Sequence, residues 1–238
     1  MKSLLKKISS KIKGAQKGKT LFYPGCLTQY KLRQINNNYK ALFSDIGINF
    51  TTLPELKCCG SPLLNAGYRE DFEQLKKHNQ RILEKNNIKR IITNCPHCYQ
   101  VFKKEYNIDK ILHTTQVLAD NKHKLVAGEH KEAAYHDPCI LARNNNMNII
   151  NEPRIVLRWV GFSIKEPVQT RKNTFCCGAG GGLKQNSPST ANKIAKERLS
   201  QLQHNQIIVS CPYCYAHLNE NKNKNQEIRE LSQVLTRE

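Results

Sequence analysis

A chain of 238 residues has room for two domains of ordinary size, 39% hydrophobic residues supply a packed core, and no run approaches ~18 consecutive apolar positions, which argues against a membrane-spanning helix. Lys and Arg number 38 against 19 Asp and Glu, a formal charge of +19 that invites an anionic partner. Nucleic acid is not the expected one, because lysines and 24 asparagines are spread through the whole chain, no aromatic–basic interleaving suited to base stacking occurs, and metal-bound thiolates would cancel part of the charge.

The first element, 1–20, carries seven lysines with Leu4, Leu5, Ile8 and Ile12 at helical spacing. Such a basic tail could lie along a membrane surface, dock on a partner or remain solvated. No apolar run follows Lys2, Lys6 and Lys7, so a cleaved secretory signal is not expected and the default compartment is the cytosol, with the inner face of the membrane reached through a partner. Apolar residues at 21–25 predict a strand leading into Cys26, and a further strand over 48–53 approaches Cys58. Phe72, Leu75, Ile82 and Leu83 share one face of a predicted helix over 69–85. The β-branched run 90–94 predicts a strand ending at Cys95. The same order then returns: a strand over 133–138 into Cys139, a strand over 162–164, a helix over 189–203 with Ile194, Ala195, Leu199 and Leu202 on one face, and a strand over 206–210 ending at Cys211. Pro96 and Pro212 suit the first turn of helices that start beside those cysteines. The polar run 219–225 predicts a loop before a last short helix.

The cysteines obey the same repetition. Positions 26, 58, 59, 95 and 98 recur at 139, 176, 177, 211 and 214, and no cysteine is left over. Each copy reads Cys, a gap of 31 or 36 residues, Cys-Cys-Gly, a gap of 34 or 32, then Cys-Pro-x-Cys-Tyr. Strands alternating with helices imply an α/β protein of two similar tandem halves, each a small parallel sheet with flanking helices. The halves are expected at 21–125 and 126–238, after the tail 1–20. In such sheets ligands bind beyond the carboxyl ends of the strands, where the cysteines of each half can converge near the interface.

Clustered cysteines in a reducing compartment point to metal or redox chemistry rather than disulfides. A mononuclear zinc site wants four ligands, whereas each half offers five cysteines over more than seventy residues. An adjacent pair chelates one small ion poorly, because neighbouring residues in an extended chain point apart. It suits a polynuclear iron–sulfur cluster, with zinc in one half as the rival. Gly60 and Gly178 follow the pairs, and Gly180 lies in a glycine run that fails dinucleotide-loop spacing at Leu183; all three suit close backbone approach to a bulky group. His136 and His97 flank the ligands, where a histidine could give a proton or a hydrogen bond to sulfur. His136 is the catalytic candidate, and a capping or packing role is the competing reading for both.

The doubled pattern resembles the CCG (cysteine-rich) domain family. Tyr23-Pro24-Gly25-Cys26, Lys57-Cys58-Cys59-Gly60-Ser61-Pro62, His136-Asp137-Pro138-Cys139 and Cys176-Cys177-Gly178-Ala179-Gly180-Gly181-Gly182 carry the likeness, over roughly 21–218. Its best-known members are the catalytic subunits of heterodisulfide reductase. Iron–sulfur subunits of glycolate oxidase, anaerobic glycerol-3-phosphate dehydrogenase and lactate utilisation are relatives. The resemblance implies two noncubane 4Fe–4S clusters flanking a substrate disulfide. One would be held by Cys26, Cys58, Cys59, Cys95 and Cys98, the other by Cys139, Cys176, Cys177, Cys211 and Cys214. It implies an oxidoreductase subunit that reduces a disulfide. Many relatives carry a ferredoxin-like cysteine run that this chain lacks, so electrons are expected from a ferredoxin-like or flavoprotein subunit. The alternatives are an electron-transfer subunit of a hydroxy-acid, glycerol-3-phosphate or succinate dehydrogenase complex, and a zinc-binding structural scaffold.

Overall fold

The computed structural model describes residues 18–236 apart from 107, 109 and 146, so the basic tail, save its last three residues, lies outside the described residues. Seven strands among the described residues form two parallel sheets. The first has the order β1 (Lys19–Phe22), β2 (Ile88–Thr93), β3 (Lys110–His113). The second has the order β5 (Phe162–Lys165), β4 (Lys131–His136), β6 (Gln206–Val209), β7 (Glu227–Glu230). This is the expected α/β architecture of two tandem halves. Parallel neighbours need crossovers, and in the first half these run through α1 (Gly25–Tyr30), α2 (Arg33–Asp45), α3 (Ser61–Asn65), α4 (Arg69–Lys85) and α5 (Pro96–Glu105), with α6 (Thr114–Asp120) following β3. The second half uses α7 (Cys139–Arg143), α8 (Asn151–Trp159), α9 (Leu183–Asn186), α10 (Pro188–Leu202) and α11 (Pro212–Asn221).

Alternation along the strands decides where the core lies. Phe22, Ile92, Tyr135 and Ile208 face one cluster that joins both sheets with Tyr39 and Phe43 of α2, Leu118 of α6 and Leu157 of α8. Their sequence neighbours point the other way. Leu21 and Ile91 meet Phe72 and Phe102 of α4 and α5, while Ala134, Ile207 and Val209 meet Leu199 and Leu218 of α10 and α11. The halves therefore share a core on their inner faces and keep private cores outside. Tyr39 donates to Glu230 across this shared core at 2.6 Å.

Two expectations need correction. The strand expected over 48–53 is reduced to one bridge, Thr51 beside Leu21, with Phe22 N–H donating to Thr51 and Thr51 N–H to Thr20. Pro54 has no N–H to extend the ladder, and Ile48 and Phe50 turn into the shared core instead. Thr51 nevertheless occupies the edge that β5 fills in the second sheet. At the C-terminus, α11 continues to Asn221 and is followed by β7, and the last turn is a 3-10 turn over Leu231–Val234. No described helix is long and apolar enough to cross a membrane.

Candidate metal centre

Six of the ten sulfurs are placed by strand endings. After β1 the chain turns into α1, which carries Cys26 in its first turn; after β4 the matching helix α7 opens on Cys139. Cys95 and Cys211 are the N-cap residues that follow β2 and β6, with Pro96 and Pro212 at the first helical positions and Cys98 and Cys214 one turn in. A Cβ on Gly25 would stand 3.1 Å from Cys98 Sγ, so the stretch carrying Cys26 runs against that turn.

The Cys-Cys-Gly loops supply the remaining thiols. Gly60 and Gly178 hold φ of 92° and 83°, a left-handed conformation that aims each amide back at the first thiol of the pair. Gly60 N–H donates to Cys58 Sγ at 3.5 Å and Gly178 N–H to Cys176 Sγ at 3.4 Å. A side chain is excluded at both: a Cβ on Gly60 would meet Phe72 at 2.5 Å, and one on Gly178 the Ala191 carbonyl at 2.9 Å.

All ten predicted cysteines fall into two sets of five with the same internal order. In the first half Cys26 neighbours Cys58, then Cys59, Cys98 and Cys95. In the second, Cys139 Sγ lies 3.6 Å from Cys176 Sγ, Cys177 follows, its Sγ is 3.2 Å from Cys214, and Cys211 completes the series. Hydrogen bonds from Cys26 and Cys59 push the Cys58 thiol down to about 3, and those from Cys139 and Cys177 push Cys176 down to about 2. The donors on either side are pushed up in turn. Six of the ten thiols are buried and Cys26 is exposed; soft donors packed this closely are built for a thiophilic metal group. A cavity of about 310 Å³ adjoins the second set, lined by all five of its cysteines and by Gly180, His97 and Tyr213.

His136 ends β4 fully buried. Burial, and then the Arg198 charge, hold its imidazole down at about 3, so the ring is neutral. Arg198 Nε donates to Nδ1, while Nε2 is buried without a hydrogen-bond partner, and the ring forms with Cys177 and Cys214 a group whose ligand atoms lie within 4.8 Å of one another. An orphaned donor on a ring beside sulfur, five thiols rather than four, and space beside them fit a polynuclear cluster better than one zinc ion. Asp137 secures the same turn. Arg154 grips both its oxygens at 2.7 and 2.8 Å, and Thr170 Oγ1 and Arg171 N–H also donate to it, which ties the Cys139 turn to the approach of Cys176.

Tyr213, Arg154 and Arg198 escaped the sequence reading, and Tyr23 entered it only as part of a motif, without a role. Tyr23 stands three residues before Cys26 as His136 stands before Cys139, and its hydroxyl donates to Lys57 O at 3.0 Å beside the first sulfur set. Aligning the two copies residue by residue exposes it, and likewise pairs Tyr213 with His97. Arg198 shows as a cation on the apolar face of α10.

The chain is similar in sequence to several known proteins. A dihydromethanophenazine:CoB–CoM heterodisulfide reductase subunit of Methanosarcina barkeri is 30% identical over 89% of this chain and 56% of that protein. An iron–sulfur protein of Methanocaldococcus jannaschii is 28% identical over 90% of this chain and 43% of its own length. One subunit of the CoM/CoB fumarate reductase of Methanothermobacter marburgensis is 29% identical over 85% and 42% respectively. The chain thus spans about half the length of these relatives. Residues 20–103 and 133–219 both match the cysteine-rich domain model CCG, and the chain belongs to that family.

Proposed function

We propose that this chain is an iron–sulfur, electron-transferring subunit of a heterodisulfide-reductase-like complex, with one cluster per half. The units would be 21–125 and 126–238. The observation that carries this reading is the duplication of one five-thiol arrangement, Cys26 through Cys98 and Cys139 through Cys214, at the strand ends of two sheets that share a core. The names of the relatives support it.

Bound clusters would supply one-electron steps at each half, and a disulfide held between them would take up two electrons with cleavage of its S–S bond. The protein's own contribution is positional. Gly60 and Gly178 amides give hydrogen bonds to sulfur, the unpartnered His136 Nε2–H would be free to donate to a bound cluster, and α5 and α11 point their N-termini at the sulfur sets, favouring negative charge there. His136, neutral when buried, acts as a hydrogen-bond donor rather than a proton source. Electrons would come from a ferredoxin-like or flavoprotein partner. The match to a fumarate reductase subunit favours, as second reading, electron transfer within a dehydrogenase complex.

Anaerobic reconstitution tests the first claim. Iron and acid-labile sulfide should reach about four per half, and Cys58→Ala and Cys176→Ala should each remove one half's share. Stoichiometric zinc without labile sulfide would sink the reading. Disulfide-dependent oxidation of the reduced protein then separates the two enzyme readings.

A further inference from the structure

His97 and Tyr213 occupy the variable position of the two Cys-Pro-x-Cys turns, and their rings meet at 5.0 Å between centroids, tilted by 58°. Residues equivalent by repetition can touch only where the two copies meet around the axis relating them. The helices behind the pair are exchanged as well. First-half α5 packs on second-half α7, burying Tyr99 against Leu141, and second-half α11 packs on first-half α1.

His97 consequently stands in the wall of the second-half cavity with Cys139 and Cys176, and a Cβ on Gly180 would come within 3.0 Å of its Cε1. Tyr213 lines the same cavity and packs against its own half's core, and it reaches across to the core that holds Cys59, Cys95 and Cys98. Burial, and then the thiols of Cys95, Cys98, Cys59 and Cys58, push its hydroxyl up. Both rings also line an adjoining pocket of about 350 Å³, together with Ser61 and Gln185.

Resting on the iron–sulfur reading above, we infer that the two motifs complete each other's sites: His97 is a positioning residue of the second-half sulfur centre and Tyr213 of the first. Each half alone lacks one wall of its own centre. The paired rings form the partition that a ligand spanning both centres must pass.

The test uses the full chain in two arms. In metal-free, reduced protein, His97→Ala should raise iodoacetamide labelling of Cys139 and Cys176 severalfold, read by peptide mass spectrometry, and leave Cys26 and Cys58 unchanged. Tyr213→Ala, whose ring borders both centres, should raise labelling of Cys26 and Cys58. In iron-loaded protein, His97→Gln should shift the paramagnetic resonance signal of the second-half centre, isolated in a Cys58→Ala background. Tyr213→Phe should shift that of the first-half centre in a Cys176→Ala background. Should alanine unfold the cleft, these conservative variants decide. Effects confined to the half that carries the substituted residue overturn the inference. A chain that takes no iron overturns the proposed function instead, and the labelling arm still decides this one.

Discussion

Arg198 Nε donates to His136 Nδ1 over 3.1 Å, and that bond fixes the tautomer of the ring beside the Cys177 and Cys214 sulfurs. A guanidinium only donates, so Nδ1 must hold a lone pair and the neutral ring carries its hydrogen on Nε2. Donors to cluster sulfur favour the more negative, reduced state and raise the potential. Replacing His136 with Phe should therefore lower the midpoint potential of the second-half centre by roughly 50–100 mV, the scale of one hydrogen bond to a charged group. Arg198→Met should lower it in the same direction. An unchanged potential in a redox titration of both variants would remove this role from the ring.

Asp137 and Arg154 are each 1% exposed and form a two-pronged pair. Glu166 also binds the Arg154 guanidinium, at 2.6 and 2.8 Å, so Asp137→Asn leaves it one carboxylate partner and costs about 1.5–3 kcal/mol, the scale of a lost hydrogen bond to a charged group. Denaturant unfolding should show that loss. Because the pair ties the Cys139 turn to the approach of Cys176, mild denaturant should release iron from the second half before the first. Simultaneous release from both halves would contradict the assignment.

Gly60→Ala and Gly178→Ala should behave alike although they lie 118 residues apart. Each puts a side chain at positive φ, costing about 1–2 kcal/mol, and each drives a Cβ into Phe72 or the Ala191 carbonyl. The amide bonds to Cys58 and Cys176 are then lost. Iron content should fall by about half in either single variant, because four irons are expected per half, and nearly to zero in the double variant. Full iron content in either single variant would count against the geometry.

Glu230 supplies a pH test. Burial raises its carboxyl from 4.5 to about 7, with Tyr39 and Ser232 as its hydrogen-bond donors and no cation among the side chains bonded to it. The folded state binds the proton more tightly than the unfolded chain, so this contribution is full below pH 4.5 and is lost as pH rises to about 7. A shift from 4.5 to about 7 corresponds to at most about 3 kcal/mol. Glu230→Gln should therefore gain stability relative to wild type between pH 5 and pH 8. Equal wild-type-to-variant differences at the two pH values would show that the carboxyl does not titrate in this range.

Much of this was legible in the sequence. The cysteine spacing located both sulfur sets, because strand ends gather residues far apart in the chain. The helix at 69–85 was legible because its apolar face is regular, and the strands at 21 and 206 because they are β-branched and aromatic. What stayed hidden depends on partners elsewhere. β3 and β7 are four residues each, Lys-Ile-Leu-His and Glu-Ile-Arg-Glu, too short and too polar to announce themselves, and they become strands by pairing with β2 and β6. Asp137 stood in a visible motif, yet its partner Arg154 lies on a separate helix. The meeting of His97 with Tyr213 depends on how the halves dock, which no local pattern encodes.

The shared core also sets a timetable for synthesis. Tyr39 waits for Glu230, which leaves the ribosome 191 residues later, and Phe22 and Ile92 stay half covered until the second sheet arrives. The amino-terminal half therefore emerges with all five of its thiols made but its inner face still wet. Metal delivery to that half has either to await the last strand or to act on a nascent chain whose pseudo-symmetric twin is still missing.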